Sequence, residues 1–313
     1  MTNLLDTIQS AAGVNAAQSL LQWNLFTTFL AVAAIVYVVV LLFLGWALLR
    51  RGDGARDRPL RVALGGWIGG TAAILAGLTL ATWFTDRDLA RAAEPKALEI
   101  EITAHQFWWD VRYLNVNPSR VLRTANELHL PAGVTAHIVL RSDDVIHSFW
   151  VPNLAGKQDL IPGRTNDISL RPIGTGFYRG QCAEFCGIQH AHMALDVTVE
   201  PVAAFTAWWN AQLAPPPAPA AALAQAGFAY VTTRECASCH TIAGTPASGQ
   251  VAPDLSHFAS RRSIAAGTLP MSRANIAAWI ADPQRLKPGN NMPNVPLSPE
   301  ELAAVTAYLE TLR

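Results

Sequence analysis

Two stretches constrain this chain more than anything else in it. Leu25–Leu49 and Val62–Phe84 contain no Asp, Glu, Lys or Arg, and each exceeds the roughly 20 residues needed to cross the hydrocarbon core of a bilayer. Backbone in lipid must satisfy its own hydrogen bonds, so each stretch is predicted to be a helix. A pair of buried core helices is the competing reading, and their length and lack of charge count against it. The second stretch holds Gly65, Gly66, Gly69, Gly70 and Gly77. Small residues let helices approach closely in a membrane, so this one is expected to pack on a partner helix. Trp23, Trp46, Trp67 and Trp83 lie near the ends of the two runs, where indoles favour the membrane interface.

Basic residues set the orientation. Residues 1–49 have no Lys or Arg, whereas Arg50, Arg51, Arg56, Arg58 and Arg61 cluster between the runs. The positive-inside rule puts that loop in the cytoplasm and everything from about residue 85 onward outside, with the N-terminus. The first 20 residues lack the basic n-region of a cleaved secretory signal, so the first run is expected to act as its own export signal. Composition narrows the class further. Charged residues make up 15% of the chain, against about 25% in soluble domains. A net charge of zero excludes a strongly basic nucleic-acid binder. Four cysteines in 313 residues are too few for a disulfide framework, and they need another explanation.

Beyond the membrane segments the pattern changes. Residues 1–96 form the N-terminal segment and hairpin, and residues 97–213 read as short strands followed by a helix. Leu98–Thr103, Phe107–Tyr113, Glu127–Leu130, Val134–Arg141, Val145–Trp150 and Ala194–Glu200 are rich in β-branched or aromatic residues, and turn residues separate them. Such spacing suggests a β-sandwich or barrel. Pro201–Leu213 is the helix. Residues 214–222, Ala-Pro-Pro-Pro-Ala-Pro-Ala-Ala-Ala, form a semi-rigid linker of the kind that joins independent domains. Residues 223–313 read as helical, with Leu223–Thr233, Arg273–Ala281 and Ser298–Leu312 as candidates.

The densest chemistry lies in Cys182-Ala-Glu-Phe-Cys186-Gly-Ile-Gln-His190-Ala-His-Met193. Two thiols, an imidazole and a thioether make a soft donor set that favours copper over magnesium or calcium. Two bridging thiolates can hold two copper ions. A second imidazole must come from elsewhere, and His147 in Asp143-Asp-Val-Ile-His147-Ser-Phe-Trp150 is the best candidate. A disulfide or a structural zinc site are the competing readings, although zinc leaves Met193 unexplained.

The pattern C-x-E-x-C-x3-H-x2-M, the upstream D-V-I-H-S and the His105-Gln-Phe-Trp-Trp segment together resemble subunit II of cytochrome c oxidase. The resemblance covers roughly residues 20–210. It implies a cupredoxin-like β-sandwich holding a dinuclear CuA centre, ligated by the side chains of His147, Cys182, Cys186, His190 and Met193 and by the backbone carbonyl of Glu184. It also implies that the Glu184 carboxylate serves a magnesium site shared with subunit I. Two departures stand out. Many members carry Trp where this chain has Phe107, so direct delivery by a soluble cytochrome is not expected there; Phe107, Trp108 and Trp109 remain a candidate electron route. Many members also carry a glutamate near the cytoplasmic start of the second helix, and none lies between Arg58 and Gly70 here.

Cys236-Ala-Ser-Cys239-His240 is a c-type haem attachment motif, with two thiols for the vinyl groups and a proximal histidine. A chance match, a zinc site or a thiol–disulfide site are the competing readings. A second axial ligand is usually Met, and this region offers Met271 and Met292. Met292 lies in Lys287-Pro-Gly-Asn-Asn-Met292-Pro293, which resembles the ligand loop of class I cytochromes c. That resemblance favours Met292 and implies that the Pro253 carbonyl orients His240. Of the other histidines, His192 sits between ligands at a different offset, His129 and His137 are expected on strands as exposed or hydrogen-bonded residues, and His105 is placed to fix the aromatic segment. His257 has no evident role.

The reading is a multidomain membrane protein: a two-helix transmembrane hairpin, a cupredoxin-like sandwich and an all-α class I cytochrome c. It is expected to be the electron-input subunit of a haem–copper cytochrome c oxidase in a bacterial inner membrane, with both redox domains on the periplasmic side. Subunit I, subunit III and reduced cytochrome c or another periplasmic donor are the expected partners. Dioxygen reduction and proton translocation would depend on another subunit, since neither membrane run holds a histidine. A CuA subunit of a nitric oxide reductase-like complex, a standalone membrane-anchored carrier and a copper-delivery protein are the alternatives.

Overall fold

The computed structural model describes residues 8–49, 57–91, 98–114, 117 and 120–313. Arg50, Arg51 and Arg56 of the basic loop lie outside the described residues, as does the expected boundary at 96/97. The chain divides into two units, Leu20–Ala93 and Met1–Ser19 with Glu94–Arg313.

The first unit is built on helices α1 (Ala17–Leu49) and α2 (Asp57–Arg91), which both outrun the uncharged stretches. Large apolar side chains such as Leu42, Leu48, Ile68 and Leu75 are exposed along them. Both helices are long and apolar enough to cross a membrane. Several of their threonine hydroxyls are satisfied within the helix. Thr28, Thr79 and Thr82 donate to the carbonyls of Asn24, Leu75 and Leu78 at 2.8, 2.8 and 3.0 Å. A Cβ placed on any of the five α2 glycines named above would meet no atom within 4 Å, so among the described residues nothing covers that face.

The second unit holds the sandwich and the helical C-terminal region. Its strands are β1 (Leu98–His105), β2 (Trp108–Tyr113), β3 (Leu122–Ala125), β4 (Glu127–Pro131), β5 (Ala136–Ser142), β6 (His147–Trp150), β7 (Gln158–Leu160), β8 (Asn166–Leu170), β9 (Gly176–Cys182) and β10 (Ala194–Glu200). They form two sheets, ordered β3-β2-β1-β5-β8 and β4-β10-β9-β6-β7. Alternation sets the core. Ile100, Ile102 and Ala104 of β1 point inward with Ile138 and Leu140 of β5, while Glu99 and Glu101 point out. Helix α3 (Val202–Leu213) closes one end, where Phe205, Trp208 and Trp209 surround the buried Tyr113 ring at 5.3–6.3 Å between centroids. Residues 8–19 are laced to the sandwich by backbone bonds, including Arg179 N–H to the Ile8 carbonyl and Ala17 N–H to the Arg171 carbonyl.

The C-terminal region contains α4 (Ala222–Thr233), α5 (Glu235–Cys239), α6 (Arg273–Ala281), α7 (Pro283–Leu286) and α8 (Pro299–Leu309). Helix α8 starts as its Ser-Pro-Glu-Glu sequence predicts. Ser298 accepts from the Glu301 N–H, and the Glu301 carboxylate accepts from the Ser298 N–H. Helices α4 and α8 cross at Gly227, where a Cβ would collide with the Ala304 carbonyl. Phe228 and Tyr308 meet edge to face beside that crossing.

Several elements differ from the sequence expectation. The strands β3, β7, β8 and β9 are absent from it, because their sequences lack a sustained apolar alternation and their pairing partners define them. A short β11 (Ser263–Ile264) and β12 (Leu269–Pro270) pair interrupts the all-α region. Helix α4 begins one residue inside the expected linker. The linker sequence predicts independent domains, yet sandwich and helical region pack on each other. The Ala194 N–H donates to the Ala266 carbonyl at 3.0 Å, Ser263 Oγ donates to Asp196, Arg123 reaches the Gln250 carbonyl at 3.0 Å, and Arg262 lies 4.0 Å over the Phe177 ring.

Candidate functional site

Strand pairing assembles the first cluster. His147 opens β6, Cys182 ends β9, and the loop to β10 carries the rest. Because β6 and β9 are hydrogen-bonded neighbours, His147 and the thiols come together although 35 residues separate His147 from Cys182. Cys182 Sγ lies 3.7 Å from His147 Nδ1 and 3.2 Å from the Glu184 carbonyl. Cys186 Sγ lies 3.7 Å from His190 Nδ1 and 3.9 Å from Met193 Sδ. The two free sulfurs stand 3.8 Å apart. Each thiol therefore faces one imidazole and one weaker donor. His147, Cys182, Cys186 and Met193 are all buried.

The electrostatics of the pair are those of a thiol–thiolate site. Cys182 drops to about 3, stabilised by the Cys186 thiol and then by His147 and backbone N–H groups, while burial opposes the drop. Cys186, beside that charge and buried, is held protonated. Ionising the second thiol as well calls for a cation between the two sulfurs. The donor set of two sulfurs, two imidazoles and a thioether suits copper. Asp144 fixes His147 from behind, with Oδ1 2.8 Å from Nε2, and its other oxygen accepts the Gln106 N–H at 2.6 Å. Such a partner sets the imidazole tautomer and its aim. His192 is exposed and turns to Gln189, 2.8 Å away, outside the cluster. The Glu184 carboxylate lies 3.6 Å from Lys157 Nζ.

The second cluster lies in the helical region. Helix α5 presents Cys236 and Cys239, with His240 next in the chain. His240 Nδ1 sits 2.7 Å from the Pro253 carbonyl, which leaves Nε2 for a ligand. Burial lowers the His240 pKa, against the Pro253 bond, and so favours the neutral ring that metals bind. A cavity of about 380 Å³ opens over it, lined by Cys239, Phe258, Ile264, Trp279 and Met292 among others. Largely apolar and bounded by a His and a Met, this cavity fits a haem. Met271 is half-buried, packs against the edge of the hydrophobic core and does not line the cavity.

One segment touches both clusters. Phe107 and Trp108 line the cavity, and the buried Trp109 ring lies 6.3 Å from the His147 ring. His105 stacks on Trp108 at 4.4 Å. Gln106 Nε2 donates to the Cys186 carbonyl. Sequence reasoning assigned no role to Gln106, Asp144, Arg261 or Lys287. Asp144 was legible as a carboxylate three residues before His147. Arg261 is buried, lines the cavity and lies 3.7 Å from Glu127 of the sandwich. Lys287 is buried between the two domains, where desolvation brings it down to about 7. His129 pairs with Glu200 at 2.9 Å and His137 with Asp167 at 3.2 Å, whereas His257 binds the Ala214 carbonyl at the start of the linker.

Comparison with known proteins adds the following. The family model for the periplasmic domain of cytochrome c oxidase subunit II matches residues 99–200, and that for cytochrome c matches residues 224–313. The chain is 36% identical over 231 residues to cytochrome c oxidase subunit 2 of Alkalihalophilus pseudofirmus, covering 74% of this chain and 66% of that one. Against cytochrome c oxidase subunit 2 of Bacillus sp. strain PS3 it is 32% identical over 256 residues, covering 77% and 70%. It thus spans about two thirds of the length of these relatives. The solved periplasmic domain of subunit II of cytochrome oxidase of Bradyrhizobium japonicum aligns at 29% identity and a TM-score of 0.35, covering 38% of this chain and 95% of that one.

Proposed function

The chain belongs to the cytochrome c oxidase subunit 2 family, and from that membership we propose that it is the electron-input subunit of a haem–copper oxidase. Cys236, Cys239, His240 and Met292 would hold a haem, and His147, Cys182, Glu184, Cys186, His190 and Met193 would hold a dinuclear copper centre. Together the two groups would supply a one-electron path towards a partner subunit that reduces dioxygen to water with proton translocation. Copper and haem iron supply reversible one-electron chemistry when bound. The residues supply the rest. The Pro253 carbonyl orients His240, Asp144 orients His147, and the buried sulfurs and cavity walls exclude water, which limits reorganisation as charge moves.

The observation that carries this reading is the aromatic segment common to both sites. Phe107 and Trp108 line the haem-sized cavity, and Trp109 packs against His147. A chain with only one redox site would need no such bridge. The domains we assign are residues 1–96 for the membrane hairpin, 97–213 for the copper domain, 214–222 for the linker and 223–313 for the cytochrome. Both redox domains face the periplasm in this reading. The exposed Phe185 and Ile188 give the thiolate loop an apolar outer surface suited to a subunit I contact. The half-exposed Glu184 carboxylate suits a magnesium ion shared with that subunit. A subunit III and a reduced periplasmic cytochrome complete the expected partners.

Purification in mild detergent tests the proposal. The expected product contains this chain with covalent haem and two copper ions, together with a polytopic haem-bearing partner that consumes dioxygen. Isolation of the chain alone overturns the oxidase role in favour of a standalone carrier or a copper-delivery protein. A partner that consumes nitric oxide and not dioxygen replaces it with the nitric oxide reductase reading.

A further inference from the structure

Lys287 opens the loop that carries Met292, yet its ammonium is spent on the other domain. The side chain is 2% exposed. Its Nζ donates to the Phe107 carbonyl at 2.9 Å, the His192 carbonyl at 2.7 Å and the Ala265 carbonyl at 2.8 Å. An ammonium has three N–H donors, and all three are used. Two acceptors belong to the sandwich, one in the aromatic segment and one in the thiolate loop. The third belongs to the cytochrome region. Around this point the same loop makes further cross-domain contacts. Asn291 Nδ2 donates to the Gln106 carbonyl at 3.1 Å, and Gln189 Nε2 donates to the Pro288 carbonyl at 3.0 Å. Gly289 has a φ of +77°, and a Cβ there would meet Ile188 Cδ1 at 2.6 Å.

We propose that Lys287 is a positioning residue that locks the Met292 loop onto the aromatic segment and the thiolate loop, so that electrons cross in one fixed docked pose. The idea rests on the electron-transfer reading for its purpose and on these contacts for its geometry. A flexible tether alone raises local concentration but permits many poses. A buried ammonium is tolerated only when its donors are paired. A slipped pose would leave Lys287 with the Ala265 carbonyl as the one remaining acceptor of the three, so misdocking forfeits two of its hydrogen bonds. Electron transfer falls off exponentially with distance, which makes a single close pose valuable. The step itself transfers one electron from the haem side to the copper side, with no bond made or broken.

The test uses the full chain in detergent with its metal and haem in place. In the unaltered chain, haem-to-copper transfer after a reducing laser pulse is expected to be independent of solvent viscosity; a viscosity-dependent rate overturns the lock without any variant. Lys287→Met is expected to slow that transfer at least tenfold, make it viscosity-dependent and raise hydrogen exchange in residues 98–114. The haem spectrum and potential are expected to stay unchanged, which separates positioning from a role in building the Met292 loop. Unchanged transfer and exchange in Lys287→Met overturn the proposal, as does a changed haem spectrum. If the unaltered chain shows no haem-to-copper transfer, the electron-transfer reading fails instead, and hydrogen exchange in the two chains still decides whether Lys287 holds the domains together.

Discussion

The six donors of the thiolate cluster show what a sequence reveals at the scale of a residue. Five lie within twelve positions, and that spacing is chemistry in itself. Lys287 shows the opposite. Its partners are main-chain carbonyls 180 and 95 positions away, and a carbonyl leaves no mark on the side-chain sequence. Met292 lies between these extremes: its loop resemblance favours it over Met271, and its place in the cavity wall is what the sequence does not show. Met292→Ala is expected to alter the visible haem spectrum and lower the potential, because a thioether ligand raises it. Met271→Ala is expected to leave both nearly unaltered and, because the side chain is half-buried, to cost about 1 kcal/mol. Equal spectra for the two variants would remove Met292 as the axial ligand. His129 allows a pH argument. Burial lowers its pKa, but Glu127 and Glu200 outweigh that and raise it above the ordinary 6.5. A raised folded value means the contribution is full below pH 6.5 and disappears as pH rises through the folded pKa. Thermal melts should therefore show the sandwich losing stability above pH 6.5, with a smaller slope in His129→Gln. Identical slopes would show that His129 is not the titrating group.

Elements were legible where local pattern and tertiary demand agree. Strands β1, β5 and β10 alternate or run apolar because they line the core, and α8 carries its own start signal. Strands β7 and β8, with Gln158-Asp-Leu and Asn166-Asp-Ile-Ser-Leu, have no such pattern; their neighbours in the sheets create them. The crossing of α4 and α8 has a sharper requirement. No side chain fits between Gly227 and the Ala304 carbonyl, so the helices approach at van der Waals contact. Gly227→Val should force them apart at a cost of about 3 kcal/mol. Ser298→Ala removes the cap of α8 at about 1 kcal/mol. Denaturant titration of the haem-loaded chain, followed at the haem absorbance, should rank the two in that order. A reversed ranking would mean that the crossing is more plastic than its geometry indicates.

For the molecule as a whole, the proline-rich linker suggested two domains held together by a tether, and the packing between them replaces that picture. The cytochrome region meets the sandwich along β10, at β3 through Arg123, at the aromatic segment and at the thiolate loop. The linker itself is held at its start by His257 on the Ala214 carbonyl. Burial of Lys287, Arg261 and Asp196 in this contact is costly unless their partners stay in place, so the docked arrangement should be cooperative. A protease site placed at residues 216–219 and cut in the purified chain tests how much the tether contributes. The cytochrome fragment is expected to stay with the membrane-anchored fragment through size-exclusion chromatography at moderate salt. It should leave more readily when Lys287→Met is combined with Arg123→Ala, because two of the cross-domain donors are then lost. Immediate release from the otherwise unaltered chain would make the linker, and not the interface, what keeps the two redox sites adjacent.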